Sequence, residues 1–189
     1  MELINALEQT FQHAHEVIGN VRADQYDDPT PCPEWNVRDL MAHAIGAVAG
    51  IGAAAAGSPR TPFTLSDDPA AQFDEAATAS LAAWRTPGVL DKIVDGGPGP
   101  MPGRVLAGIN LLDTATHTWD IATATGQPTR LPADVAEAPH RPLRSGGCRA
   151  RWLRGNGTTR RLPGPPTLRS VATTTPSGRA PWRRSAPAR

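Results

Sequence analysis

The stretch LLDTATHTWDIATATGQP, Leu111 to Pro128, is predicted to belong to one helix. It places Asp113 and His117 four residues apart, and residues at this spacing share one face of a helix, close enough to hold one ion. On a helical wheel the apolar positions centre near Ile109, so Asp113 borders the face expected to be buried and His117 lies at its rim. An unpaired buried charge is too costly to persist, so Asp113 needs a partner, which we expect in the first third of the chain. Gly126 marks the end of this helix.

Length and charge divide the sequence into two unlike parts. A chain of 189 residues is long enough for one domain with a single core. Residues 1–138 carry all 18 acidic residues and 7 of the 19 basic ones, a net charge of −11. Residues 139–189 carry 12 arginines and no acidic residue, a net charge of +12. We therefore expect the folded domain to occupy 1–138.

The basic segment has the composition of a disordered chain. Arginine, proline and glycine fill 26 of the 51 positions in 139–189, and no helical period continues beyond LPADVAEA, residues 131–138. The abrupt loss of every acidic residue leads us to hypothesise a product of a shifted reading frame. The less favoured alternative is a genuine basic arm that binds nucleic acid through phosphate contacts.

Cysteine usage and the lack of a targeting segment predict a cytoplasmic protein. Cys32 and Cys148 form neither a disulfide framework nor a zinc-binding CxxC pair, so we expect free thiols in a reducing compartment. The N-terminus lacks the basic start and apolar run of a signal peptide, and the Ala/Gly-rich stretch 42–57 is too short to span a bilayer.

Helical patterns recur along residues 1–138. Apolar spacing predicts helices over residues 2–22 and 70–85, and a further helix that begins near 102–104. A helix beginning at Asn36 has strong start signals, because Asn36 suits the N-cap and Asp39 completes a capping box. The Gly/Pro-rich segment 86–103 is too broken for an element, and we predict no strand. The pattern favours an all-α fold, an antiparallel four-helix bundle.

Histidines on the first two predicted helices are candidates for metal binding. His13 and His15 are two residues apart, which splays them on a helix, so we expect them on or near a solvated face. His43 lies at the edge of the apolar arc of the second helix. Its small neighbours Gly46 and Gly50 predict the close approach of another helix and room around the imidazole. From spacing alone, a histidine bonded to a carbonyl at the edge of the core is the favoured interpretation of His43.

Two segments carry a family resemblance. TPCPEWNVRDLMAHAIG, Thr30 to Gly46, and HTWDIATATGQP, His117 to Pro128, resemble the paired signatures of the DinB-like superfamily. The resemblance is to its actinobacterial branch, which is related to the mycothiol-dependent maleylpyruvate isomerase metal-binding domain, and it covers about residues 1–138. It implies a four-helix bundle with one divalent metal ion.

The resemblance also implies the ligands, which would be His43 from the second helix and Asp113 and His117 from the fourth. The isomerase carries glutamate where Asp113 stands, and aspartate is one methylene shorter. Three protein ligands and an open position are typical of a catalytic zinc site. Zinc is favoured, while Fe(II), Ni and Mn remain open for the same ligand set. We expect Asp120 to hold a ligand histidine or to bond across the bundle, and Trp35 and Trp119 to serve in packing.

The family relationship favours an enzyme, a mycothiol-dependent transferase or isomerase that uses the metal to bind a low-molecular-weight thiol and acts on an unidentified small molecule. The alternative is a non-catalytic metal-binding bundle that serves as an interaction module. The sequence shows no Ser-His-Asp or Cys-His arrangement, so we assign no catalytic side chain. A membrane partner is not expected, nucleic acid is disfavoured, and a homodimer is left open.

Overall fold

Four α-helices dominate the computed structural model, which describes residues 2–97 and 99–129. Two short strands lie between the third and fourth helices. The elements are α1 (Glu2–Gly19), α2 (Val37–Ala55), α3 (Pro69–Trp84), β1 (Ile93–Asp95), β2 (Pro100–Pro102) and α4 (Gly103–Ala124), with short 3-10 helices at Ala23–Gln25 and Val89–Asp91. The all-α class is confirmed.

The helix ends follow from local sequence chemistry. At the start of α2, the Asn36 side chain accepts a hydrogen bond from the backbone nitrogen of Asp39 at 2.9 Å, and Asp39 accepts one from the backbone of Asn36 at 3.5 Å. This is the predicted capping box. Asp68 caps α3 in the same way, accepting from the backbone of Ala71 at 3.0 Å. Beyond α4, Gly126 adopts φ 70°, the left-handed conformation that ends helices.

The core is shared by all four helices. Helix α1 packs against α3 and α4, and α2 packs against the same two helices. Phe11 of α1 and Phe73 of α3 meet edge to face, with ring centroids 5.9 Å apart. The largest fully buried side chains are Trp84, Phe73, Leu7, Leu40, Met41, Ile45, Ile51, Leu106 and Ile121.

The residues that contact the glycines of α2 differ from those predicted. A Cβ built on Gly52 would lie 2.8 Å from the Cα of Ser80, so α3 approaches α2 closely at this position. At Gly46 a Cβ would meet the Phe63 ring at 3.1 Å, and at Gly50 it would meet the Arg60 guanidinium at 2.7 Å. Residues of the α2–α3 loop, not another helix, therefore cover the small positions beside His43.

The prediction of no strand was wrong. β1 and β2 pair as an antiparallel hairpin in which Val94 lies opposite Met101. Gly97 and Gly99 in the connection have φ 116° and 119°, conformations that favour glycine. The Asp95 side chain accepts a hydrogen bond from the Gly97 backbone at 3.0 Å. Strands of three residues are too short to show alternation, and the glycines that break a long element also make this turn.

The buried face of α4 also differs from the prediction. Val105, Leu112 and Trp119 are 47%, 46% and 41% exposed, although a buried face centred near Ile109 would include Val105 and Leu112. The buried face is rotated by roughly a quarter turn and is centred near Asn110 and His117. Much of it consists of small or polar residues, so apolar periodicity points to the wrong side of the helix.

The predicted helix start at 131–138 and the basic segment 139–189 lie outside the described residues. The chain divides into two units, Met1–Asn156 and Gly157–Arg189, and every described residue belongs to the first. Among the described helices, none has the length and apolar character needed to cross a membrane.

Candidate metal centre

The structure brings together His43, Asp113 and His117. His43 lies on α2, and the other two lie on α4. The Nε2 atoms of His117 and His43 are 3.5 and 3.7 Å from Oδ1 of Asp113. The two imidazole rings are nearly perpendicular, with centroids 4.8 Å apart. One possible ligand atom from each of the three residues therefore lies within 4.8 Å of the other two.

His117 is oriented by a second carboxylate. Its Nδ1 lies 3.3 Å from Oδ2 of Asp120, and both side chains are buried. When Nδ1 donates this hydrogen bond, the lone pair of the neutral ring is on Nε2, which faces Asp113. The expectation that Asp120 holds a ligand histidine agrees with this contact.

Burial and charge oppose each other in this cluster. Burial raises the pKa of Asp113, but hydrogen bonds and charge from His117, and then from His43, outweigh it and hold the pKa of that carboxyl well below its usual range. Burial lowers the pKa of His117, but the carboxylates of Asp113 and Asp120 outweigh it and raise the pKa of His117 to about 9. Both shifts show that Asp113 and Asp120 make a strongly cation-stabilising environment.

A divalent ion fits these residues. Oδ2 of Asp113 is buried and has no hydrogen-bond partner among the residues that the structure describes. A buried carboxylate oxygen without a partner is unfavourable, and a cation would satisfy it. Tetrahedral zinc with ligand distances of about 2.0–2.2 Å separates neighbouring donor atoms by about 3.4 Å. The observed separations of 3.5 and 3.7 Å are close to that value.

One side of the cluster is open to solvent. The side chains of His43 and Asp113 are 22% and 27% exposed, whereas that of His117 is 10% exposed. An ion or an additional ligand can therefore approach from the side of His43 and Asp113. This agrees with a site that keeps an open coordination position.

A second cluster of metal-ligating residue types adjoins the first. Cys32, His117 and Asp120 are all buried, and the sulfur of Cys32 lies 3.5 Å from Oδ2 of Asp120. Cys32 takes part in a disulfide, so the expectation of a free thiol is wrong for this residue. A disulfide sulfur offers no thiolate ligand. Asp120 and Cys32 are therefore neighbours of the site and not a separate metal centre.

Two tryptophans occupy positions that the sequence did not reveal. The Trp35 ring lies 4.6 Å from the His43 ring at an interplanar angle of 34°, and 6.1 Å from the His117 ring. Its packing partners thus include the two candidate ligands, besides the hydrophobic core. Trp119 is 41% exposed, so it lies at the surface of α4 and not in the core.

The other histidines take no part. His13 is half-buried on α1 and His15 is exposed, as the splayed spacing predicted. Neither belongs to a cluster of metal-ligating residue types in the described part of the chain.

Comparison with known proteins places the chain in a family. The model of the mycothiol maleylpyruvate isomerase N-terminal domain matches residues 7–122. Uncharacterized proteins from two strains of Mycobacterium tuberculosis are 38% identical to this chain over 120 residues, which is 64% of the chain and 65% of each relative. The match thus spans slightly less than two thirds of the length of these curated relatives, and no solved structure matches. The chain belongs to the mycothiol maleylpyruvate isomerase N-terminal domain family.

Proposed function

We propose that this protein binds one divalent metal ion through His43, Asp113 and His117, within an antiparallel four-helix bundle of the DinB-like type. The observation that carries the proposal is Oδ2 of Asp113, which is buried without a hydrogen-bond partner among the described residues, in the carboxylate that both histidines face. The membership in a family named for a mycothiol-dependent enzyme supports it.

Zinc is the metal that this ligand set fits best. Two imidazoles and a carboxylate with a solvent-exposed side are the arrangement of catalytic zinc sites. Fe(II), Ni and Mn bind the same donor types. Asp113 supplies a carboxylate oxygen, which is a ligand that zinc accepts.

The reaction that we propose is the transfer or isomerisation of a small molecule with mycothiol or a similar low-molecular-weight thiol. A divalent ion held by His43, Asp113 and His117 would supply the Lewis acidity that lowers the pKa of a thiol, whose proton would pass to solvent. The protein's own groups prepare the site: Asp120 fixes the His117 ring, and the exposed side of His43 and Asp113 admits the thiol. No separate general base is needed to form the nucleophile in this scheme.

The alternative is a non-catalytic metal-binding bundle that acts as an interaction module. It is favoured by one observation: Asp120, the carboxylate beside the trio, is already engaged with His117. With no other base in the described cluster, catalysis on a substrate would depend on the thiol alone.

The absorption spectrum of the cobalt-substituted full-length protein separates these functions. Addition of a thiol such as mycothiol or cysteine at millimolar concentration should produce a sulfur-to-cobalt charge-transfer band. The band should be absent from His43→Ala protein and present in His13→Ala protein, which loses a histidine outside the site. A wild-type spectrum that thiols leave unchanged would contradict the thiol-dependent function and support the interaction module.

A further inference from the structure

The two candidate ligand histidines are held differently. The ring of His117 is fixed through its second nitrogen, because Nδ1 lies 3.3 Å from Asp120. Within the described residues, His43 makes its only polar side-chain contact through Nε2, with Asp113. Histidine ligands almost always have their second nitrogen hydrogen-bonded to a protein group or water, and this partner orients the ring. The contacts of its ring face are therefore the protein contacts that can orient His43.

The indole of Trp35 supplies that contact. Its ring centroid lies 4.6 Å from the centroid of the His43 ring, and the planes are tilted by 34°. This separation is at the short end of the range for stacked aromatic pairs, about 4.5–7 Å. The same indole lies 6.1 Å from the His117 ring. Trp35 thus covers His43 closely and reaches the second histidine as well.

Trp35 is itself held firmly by its loop. Its backbone nitrogen donates a hydrogen bond to the carbonyl of Cys32 at 2.9 Å, and its carbonyl accepts one from the Thr30 hydroxyl at 2.8 Å. The next residue, Asn36, is the N-cap of α2, the helix that carries His43. The backbones of Trp35 and His43 are therefore both held at the N-terminal half of α2.

We propose that Trp35 is the positioning residue of His43. Its stacked ring restricts rotation of the imidazole and keeps Nε2 directed at Asp113, as Asp120 does for His117 through a hydrogen bond. The expected effect of Trp35 on metal affinity rests on the proposed function. Its effect on the orientation of the His43 ring does not, and can be measured without metal.

Two replacements separate stacking from simple packing. Trp35→Phe and Trp35→Leu both keep an apolar side chain before the N-cap, where it can pack against Leu40, but only phenylalanine keeps an aromatic face. Trp119→Leu is the matched control, because it makes the same chemical change at an exposed position of α4. Circular dichroism checks helicity, and Trp35→Met replaces Trp35→Leu in the comparison if leucine reduces it.

The first measurement is NMR of the His43 ring protons in the metal-free full-length protein. We expect ring-current shifts from the indole in the wild type and the Trp119→Leu protein, smaller shifts of a single ordered ring in Trp35→Phe, and averaged, near-random-coil values in Trp35→Leu. An equally ordered His43 ring in Trp35→Leu would overturn the proposal.

The second measurement is cobalt affinity by competition with a chelator. We expect the Trp35→Leu protein to bind cobalt about tenfold more weakly than wild type. Loss of a group that orients a metal ligand typically weakens metal affinity by about 10- to 100-fold, and this is the lower end of that range. The affinity of Trp35→Phe should stay within about threefold of wild type. Wild-type affinity in Trp35→Leu would also overturn the proposal. Absence of cobalt binding in the wild type would instead refute the proposed function, and the NMR comparison would still decide the role of Trp35.

Discussion

Replacement of Asp113 by asparagine should abolish most of the stabilisation that a metal gives this protein. A ligand bound only by the folded state raises the free energy of unfolding by RT ln(1 + [L]/Kd), about 2.7 kcal/mol when cobalt is present at 100 times Kd. Asparagine keeps the size of the side chain but removes the charge that faces both histidines at 3.5 and 3.7 Å. Loss of a group that only orients a ligand weakens metal binding by up to about 100-fold. Loss of a direct ligand should therefore weaken it by at least about 100-fold. At the same cobalt concentration the remaining stabilisation is then about 0.4 kcal/mol.

The assay is thermal or urea unfolding of each protein with and without cobalt. Asparagine also removes the ion pairs with His43 and His117, which changes the stability of the metal-free protein. Each variant is therefore compared with its own metal-free form, so that this change cancels. Asp74→Asn, which removes an exposed charge from α3, should keep the full wild-type increment. An Asp113→Asn protein that cobalt stabilises as strongly as wild type would refute the assignment of Asp113 as a ligand.

Two further predictions concern pH and packing. In the metal-free protein the pKa of His117 is raised from 6.5 to about 9, so its contribution to stability is fully present below pH 6.5 and is lost as the pH rises through 9. Urea unfolding at several pH values should show this fall in the free energy of unfolding of the wild type but not of His117→Gln. A fall of equal size in His117→Gln would contradict the prediction. Gly52→Ala should destabilise by about 1–2 kcal/mol, because its new methyl group would lie 2.8 Å from Ser80. Gly108→Ala, whose methyl group would meet nothing within 4 Å, should instead stabilise by up to about 1 kcal/mol; equal effects at the two glycines would show that α3 does not approach α2 closely at Gly52.

Local signals in the sequence predicted the helices well. The capping box of Asn36 and Asp39 and the terminal Gly126 depend on residues only a few positions apart, so their chemistry can be recognised without the fold. The spacing of Asp113 and His117 likewise fixes their common helix face. The assignment of His43 to the same cluster required the family resemblance, because spacing alone did not favour it.

Features that depend on long-range packing could not be predicted in the same way. The buried face of α4 is centred near Asn110 and not Ile109, since Asn110 finds a partner in Ser80 of α3 at 3.2 Å. The stacking of Trp35 on His43 follows from how the loop before α2 folds back over that helix. Neither contact leaves a periodic signal, because each joins residues whose proximity is set by tertiary structure.

Metal content tests the proposed metal centre directly. The full-length protein, purified after saturation with zinc and removal of unbound metal, should contain about one zinc per chain by elemental analysis. His117→Ala protein should contain little zinc, whereas His15→Ala protein, which loses an exposed histidine of α1, should match wild type. Equal zinc content in the His117→Ala and wild-type proteins would contradict a metal centre at His43, Asp113 and His117.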